Sequence, residues 1–324
     1  MTEPEAFQRD DEFWIEDGNI VLVAGGVGFC VYRGLLAGQS EVFRGMLALP
    51  NPVEREQHNE LPVVRLSDSE EDLRHLLRAL IPSQKPLFYR YVPSRDPIPS
   101  AMLSAVIRLA HKYGFTELES QGLACLKTFY THDFDTWQRA KRFETPLPFR
   151  VHDFSPIEVI HIARLTDTPT LLPIAFYQCA TEGDVIAKLA EGHTREDGTS
   201  VKLDADDLLR CLKGQRYFAN RGFSTFSYLF DAIPDKHCIK PKDCKGILLD
   251  IRAEAEDHMR DYESILCPLE LWWHSPYRFY EPQDRWPENE LCSCCFSMMK
   301  KRDRDEREEI WDDLPGVFSL PEWS

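Results

Sequence analysis

Hydrophobic positions in the first 130 residues alternate between short continuous runs, typical of strands, and positions three or four residues apart, typical of helices. Short strands are predicted at 20–23, 29–31 and 61–66. Two short helices broken near Gly38 follow the second strand, and Ser40 stands where the second helix needs an N-cap. Three more helices are predicted to begin near Ser69, Ser100 and Thr116. This order predicts an α+β domain over residues 13–130, with a small β-sheet flanked by helices.

The pattern changes after this domain. Residues 1–12 are interpreted as a loose acidic tail, and residues 131–154, where the periodicity is interrupted, as a linker. Residues 155–324 are predicted to be mostly α-helical, with clear helical patterns at 203–213, 223–233, 241–266 and 288–311. The sequence Ser-Pro-Ile-Glu at 155–158 combines an N-cap, a proline at the first helical position and a capping-box glutamate.

The glycines Gly25, Gly26 and Gly28 allow two interpretations. A strand followed by closely spaced glycines is typical of a phosphate-binding loop. However, Val31 stands where the dinucleotide motif needs its third glycine, and no Gly-Lys-Ser/Thr follows. Because the residues after Gly28 have strand character, a hairpin turn is the favoured interpretation.

Composition and charge exclude several classes of function. The 324 residues are 43% hydrophobic and 28% charged, which predicts a globular chain, and the formal net charge of −16 disfavours nucleic acid as a partner. The acidic N-terminal residues lack the apolar core of a signal peptide, and no apolar run is long enough to cross a bilayer, so no membrane partner is expected. The ten cysteines are therefore expected to be reduced thiols in a cytoplasmic or nuclear protein, not a secreted one.

Catalytic motifs of the common kinds are missing from the sequence, so an enzyme is not expected. The most specific chemical feature is Cys292 and Cys295, a C-x-x-C pair whose thiolates have the spacing to share one zinc ion. The nearest candidates for two further ligands are Cys267 and His274, and the alternatives are Cys238 and Cys244. In the competing interpretation the cysteines pack on one side of a helix as small hydrophobic residues. The packing interpretation is the favoured one, so no cofactor is predicted, and a zinc ion is the alternative.

Residues of the first domain also carry a resemblance to a known family. The segments in question are 17–23 (DGNIVLV), 29–33 (FCVYR), Leu35-Leu36, and Ser40 to Phe43 with Met46. The strand at 62–66, the apolar helix at 73–80, and the helix pair that contains 110–113 (AHKY) and 118–126 follow in order. Over roughly residues 12–130 the chain resembles a BTB/POZ domain. The sequence of residues 17–23, together with the helical second half of the chain, resembles the fungal branch of that family. Tyr32 departs from the pattern, which has histidine there.

The resemblance implies a protein-interaction module, often a homodimer. It implies that five apolar residues lie in or near the first helices, where they serve the core or the dimer face: Leu35, Leu36, Val42, Phe43 and Met46. Asp17 and Arg33 resemble a charged pair that some members place near the dimer seam. The predicted function is a non-enzymatic, self-associating interaction protein with protein partners. The alternatives are a substrate adaptor for a cullin-type ubiquitin ligase, and a zinc-stabilised or cysteine-dependent activity in the helical region.

Overall fold

A computed structural model describes residues 7–48, 56–81, 97–181, 184–258, 267–269 and 291–323. The fold is α+β, as the sequence predicts, with a small sheet near the N-terminus and a mostly helical remainder. The chain divides into two compact units. Unit 1 comprises Met1–Leu171 and His193–Val201, and unit 2 comprises Leu172–Gly192 and Lys202–Ser324.

Five strands form one sheet within the described part of unit 1, in the order β1-β3-β2-β5-β4. They are β1 (Gln8–Trp14), β2 (Ile20–Ala24), β3 (Val27–Val31), β4 (Gln57–His58) and β5 (Leu61–Arg65). β2 and β3 form an antiparallel hairpin, and β1 and β5 run parallel to β3 and β2 respectively. All five residues of β2 are buried, which explains why it reads as a continuous apolar run instead of an alternating one.

The hairpin between β2 and β3 has a two-residue loop, Gly25-Gly26, with Ala24 paired to Val27. The φ angles of the two glycines are 55° and 81°, as a tight hairpin turn with the twist of the flanking strands requires. Gly28 lies inside β3, where an added Cβ would stand 2.3 Å from a ring carbon of Phe7. The hairpin interpretation is therefore confirmed, and the third glycine makes room for an aromatic ring without lengthening the turn.

The helices of unit 1 are α1 (Arg33–Gln39), α2 (Glu41–Ala48), α3 (Glu70–Leu80), α4 (Ser100–Tyr113), α5 (Thr116–Lys127), α6 (Phe134–Lys141) and α7 (Pro156–Leu165). The cap predicted at Ser40 is present, since its Oγ accepts the Phe43 N–H at 2.9 Å and donates to the carbonyl of Tyr113 at 2.5 Å. One hydroxyl thus begins α2 and joins it to the end of α4. Ser69 caps α3 in the same way, accepting the Asp72 N–H.

The structure corrects two of the predicted boundaries. Residues 8–12 are not a loose tail, because they belong to β1, where Asp10 is 5% exposed and accepts a hydrogen bond from the Arg74 guanidinium at 2.9 Å. Acidic residues look solvated in the sequence, but here arginines of α3 neutralise them. Residues 131–154 are not a plain linker, because they contain α6, which Asp133 caps and which buries Trp137. Unit 1 continues to Leu171.

Unit 2 is helical in its described part. It contains α8 (Leu172–Thr181), α9 (Val185–Glu191), α10 (Ala205–Leu229), α11 (Pro241–His258) and α12 (Ser293–Val317), and α10 packs against both α8 and α12. The helices predicted at 203–213 and 223–233 are one continuous α10. Gly214, which lies in α10 beyond the first predicted segment, is a close-packing position where an added Cβ would stand 2.4 Å from the Phe318 ring.

The two-residue turn gives a direct test of the hairpin. We expect Gly26→Ala to lower the free energy of unfolding by about 1 kcal/mol, because alanine is strained at positive φ. The matched control is Gly45→Ala in the middle of α2, where a Cβ also meets open space, and we expect it to raise that free energy by roughly 0.5–1 kcal/mol. Hydrogen exchange of the β2 and β3 amides reports the difference. Equal effects of the two substitutions would contradict the turn geometry.

Candidate metal centre

Four cysteines of unit 2 come together in the structure. The Sγ atoms of Cys238, Cys244, Cys292 and Cys295 all lie within 4.8 Å of one another, and the group can hold a metal ion. Cys238 lies on the segment between α10 and α11, Cys244 lies in the first turn of α11, and Cys292 and Cys295 lie at the start of α12. Three separate parts of the chain therefore supply the ligand atoms.

Local backbone contacts position these thiols. The backbone N–H of Asp235 points at Cys295 Sγ at 3.3 Å, and that of Cys292 points at Cys244 Sγ at 3.4 Å. The Sγ atoms of Cys292 and Cys238 are 3.5 Å apart. Hydrogen bonds from backbone N–H groups to the sulfur atoms orient the ligands of a metal site and stabilise negative charge on them. The segment before α11 is held as well, because the Cys238 N–H donates to the carbonyl of Asp235.

The surroundings of the four thiols are apolar. Cys244 and Cys295 are completely buried, Cys292 is nearly so, and Cys238 is partly buried. Cys244, Cys292 and Cys295 belong to a buried cluster, and Cys238 packs against it. The cluster contains six other buried hydrophobic residues: Phe226, Leu229, Phe230, Leu248, Leu291 and Met299. A dry shell of this kind keeps water from competing for a bound ion.

The surroundings shift the pKa values of these thiols in opposite directions. The backbone N–H of Cys295 lowers the pKa of the Cys292 thiol to about 6, whereas burial raises the pKa of the Cys295 thiol. Burial also raises the pKa of Cys238. Thiols that burial keeps protonated lose their protons when a divalent cation arrives, because thiolates are the ligands and the positive charge stabilises them.

The distances agree with tetrahedral coordination by sulfur. Zinc–thiolate bonds of about 2.3 Å place the sulfurs of a regular tetrahedron about 3.8 Å apart. The distance of 3.5 Å between the sulfurs of Cys292 and Cys238 and the upper limit of 4.8 Å for all four lie on either side of that value. All four cysteines are free thiols in the structure, so none of them is committed to a disulfide.

This geometry shows which of the predicted ligands lie together. Cys292 and Cys295 are members of the cluster, and the alternatives Cys238 and Cys244 complete it. Cys267 is not a member, since its thiol donates to the carbonyl of Thr181 at 3.2 Å. His274 lies outside the described residues. The second pair was hard to recognise from the sequence because five residues separate its cysteines and because 47 lie between Cys244 and Cys292.

The five apolar residues predicted for the first helices differ in how deeply they are buried. Leu36 and Phe43 are 1% and 0% exposed and belong to the core. Val42 is 43% exposed, and Leu35 and Met46 are half-buried. Only the last three therefore offer surface to a partner.

Asp17 and Arg33, which resemble a charged pair of the family, each contact other groups in this structure. Asp17 accepts a hydrogen bond from the Tyr32 hydroxyl at 2.6 Å, and the Arg33 guanidinium donates to the carbonyl of Leu47. The Arg33 N–H donates to the Asn19 side chain at 2.7 Å. Tyr32, the residue that departs from the family pattern, thus supplies the partner that Asp17 has here.

Comparison of the chain with protein-family models, with curated proteins and with solved structures gave no match. Among the described residues, none of the helices has the length and apolar character that crossing a bilayer requires.

The position of four cysteines in one cluster predicts which cysteines bind metal. We expect Cys238→Ser, Cys244→Ser, Cys292→Ser and Cys295→Ser each to weaken binding of added Co²⁺ at least tenfold, since each removes one thiolate. Cys267→Ser and Cys294→Ser are the matched controls and should leave binding unchanged. The thiolate-to-cobalt charge-transfer band in absorption titrations measures the difference. A tenfold weaker affinity in either control, or an unchanged affinity in two or more of the first four variants, would refute the assignment.

Proposed function

We propose that this chain is a non-enzymatic protein-interaction protein, with a BTB/POZ-like unit 1 that self-associates and a unit 2 built around a structural zinc ion. The observation that supports the zinc ion is the convergence of Cys238, Cys244, Cys292 and Cys295. Four thiols are the donor set of structural zinc sites in proteins.

The zinc we propose has no catalytic position. Four thiolates fill the tetrahedral shell, whereas catalytic zinc keeps one position open for water or substrate. The cluster is also enclosed by apolar side chains, with Cys244 and Cys295 fully buried. A closed, buried site favours a role in stability, and this supports the non-enzymatic interpretation.

The zinc would join parts of unit 2 that are distant in the sequence. Cys238 and Cys244 belong to the segment that leads into α11, and Cys292 and Cys295 begin α12. Each ligand pair by itself is a local feature. Metal bonds between the two pairs would fix α11 against the start of α12, because free energy released on binding is folding free energy when only the folded state has the site.

Self-association of unit 1 is proposed from its resemblance to the BTB/POZ family and from its first helices. Tyr32 and Val42 are 37% and 43% exposed, and Leu35 and Met46 are half-buried. These residues lie in or beside α1 and α2, where the resemblance places a dimer face. Exposed apolar side chains near one another favour contact with a protein partner.

The two alternative functions are adaptor activity and a cysteine-dependent activity. Adaptor activity for a cullin-type ubiquitin ligase is a special case of the proposed function, and retention of a cullin on the immobilised protein is its test. A cysteine-dependent activity needs an accessible thiolate near a basic group. With four cysteines bound to zinc, the cluster would not supply one.

Removing the metal tests the zinc. We expect the purified protein to contain one zinc per chain, and a strong chelator to lower the melting temperature by at least roughly 10 °C, equivalent to a few kcal/mol in a domain of this size. Native mass spectrometry gives the stoichiometry, and calorimetry gives the melting temperature. Added Zn²⁺ should restore it and Mg²⁺ should not, since magnesium prefers oxygen ligands. A protein with no zinc and unchanged melting after chelation would refute the proposal.

A charge on the exposed face of α2 tests the self-association. We expect Val42→Glu to weaken the dimer at least tenfold, because it introduces two like charges into an apolar contact. Leu209→Glu, at an exposed leucine of unit 2, is the matched control and should not change the dissociation constant. Sedimentation at micromolar concentration measures both. A wild-type protein that stays monomeric would contradict the proposal, and so would equal weakening by the two substitutions.

A further inference from the structure

Unit 1 contains a cavity of about 360 Å³ that the proposed function does not use. The first turns of α3, α4 and α7 line it, together with the short hairpin formed by β6 (His193–Thr194) and β7 (Ser200–Val201). Its volume is in the range of small-molecule binding sites.

A closed set of ion pairs forms part of the cavity wall. Glu158 is 2% exposed and accepts hydrogen bonds from Arg195 Nε at 3.0 and 3.1 Å and from the Ser104 hydroxyl at 2.5 Å. Arg108 donates to both carboxylate oxygens of Asp72 at 2.9 Å. Glu158 therefore does not serve as the predicted capping-box residue. The two carboxylates and two guanidiniums compensate one another, so they act as a fixed wall.

Two helix N-termini at the cavity have no side-chain cap. α4 is 14 residues long, begins after Pro99, and has no acidic residue in its first turn. Ser155, the N-cap residue of α7, makes no capping hydrogen bond either. Free N–H groups and the helix dipole at such ends favour a negatively charged group. Pro99, Ser100 and Ser155 all line the cavity.

A buried histidine adds a second, independent sign of a ligand. His75 is 9% exposed, and Arg78 Nη1 lies 3.3 Å from its Nδ1. Because a guanidinium can only donate, Nδ1 accepts and the ring proton is on Nε2. Within the described residues Nε2 is buried with no hydrogen-bond partner, and the nearest carboxylate oxygen, on Glu196, is 3.5 Å away. A donor enclosed in this way is costly unless an acceptor reaches it.

The rim of the cavity has the opposite character. Glu196 and Asp153 have 63% and 59% of their side-chain surface exposed, and Asp197 stands beside Glu196 on the β6–β7 hairpin. Six carboxylates and three guanidiniums line the cavity in all. This excess of negative charge repels a simple anion, but it attracts an ammonium group near the opening.

We propose that the cavity binds a small zwitterion of about dipeptide size. Its carboxylate lies against the uncapped start of α4 and the Nε2–H of His75, and its ammonium group lies against the carboxylates of Glu196 and Asp197. Donors inside and acceptors at the rim are the arrangement that a ligand with both charges satisfies, and that a ligand with one charge does not.

A matched set of four ligands tests the proposal: glycyl-leucine, its N-acetyl form, its C-terminal amide, and the form blocked at both ends. Isothermal titration calorimetry on the full-length chain measures their affinities. We expect glycyl-leucine to bind with a dissociation constant below 1 mM (roughly, the weak end of specific binding). Blocking either end should weaken binding at least tenfold. No binding by any of the four, equal binding by all of them, or tighter binding of inorganic phosphate would overturn the proposal.

Two variants connect each charge to its residue. Glu196→Gln changes an exposed side chain and should weaken glycyl-leucine and its amide while leaving the N-acetyl form unchanged. His75→Phe should weaken glycyl-leucine and the N-acetyl form but not the amide. Glu144→Gln, at another exposed carboxylate of unit 1, is the control and should change none of them. If Glu196→Gln, which does not alter the core, weakens all of these ligands equally or none of them, the assignment is wrong.

Discussion

The structure of unit 2 depends on the meeting of four thiols, three of them buried. Cys238, Cys244, Cys292 and Cys295 lie too close together for four ionised sulfurs without a cation, and thiols are weak hydrogen-bond donors and acceptors. Their position beside Phe230 and Leu248 keeps water away. This combination is stable with protonated sulfurs as plain packing, and with thiolates only around a metal ion. The metal interpretation accounts for why cysteine, and not leucine or valine, occupies all four places.

Unit 1 has a comparable constraint made from charge. Glu158, almost completely buried, is satisfied by Ser104, Arg108 and Arg195. Arg195 lies on the segment His193–Val201, which belongs to unit 1 although the residues on either side of it belong to unit 2. A buried carboxylate that lost one of these partners would be strongly destabilised. The same ion pairs form a wall of the cavity, so stability and the proposed binding share residues there.

The sequence predicted the elements of the fold better than their limits. Buried strands such as β2 and caps such as Ser40 and Ser69 are local features, and they were identified correctly. The error at residues 131–154 missed a local signal, the Asp133 cap of α6, whereas the error at residues 8–12 has a tertiary cause. The carboxylate of Asp10 is neutralised by Arg74, which lies 64 positions away, and the pattern along the chain contains no sign of this.

Two of the four cysteines of the candidate metal centre can be recognised from the sequence alone. The C-x-x-C spacing made Cys292 and Cys295 visible, because two ligands one helical turn apart are a local signal. Choosing Cys238 and Cys244 over Cys267 required knowing how α11 lies against α12, which is a tertiary property. The tautomer of His75 was likewise hidden, since it depends on the contact between its Nδ1 and the guanidinium of Arg78.

X-ray absorption spectroscopy at the zinc edge of the purified protein tests the four-thiolate zinc site, because it reports the atoms bound to the metal. We expect a single shell of four sulfur atoms at about 2.3 Å from zinc. Absence of zinc, or a shell that contains nitrogen or oxygen in place of one or more sulfurs, would contradict it.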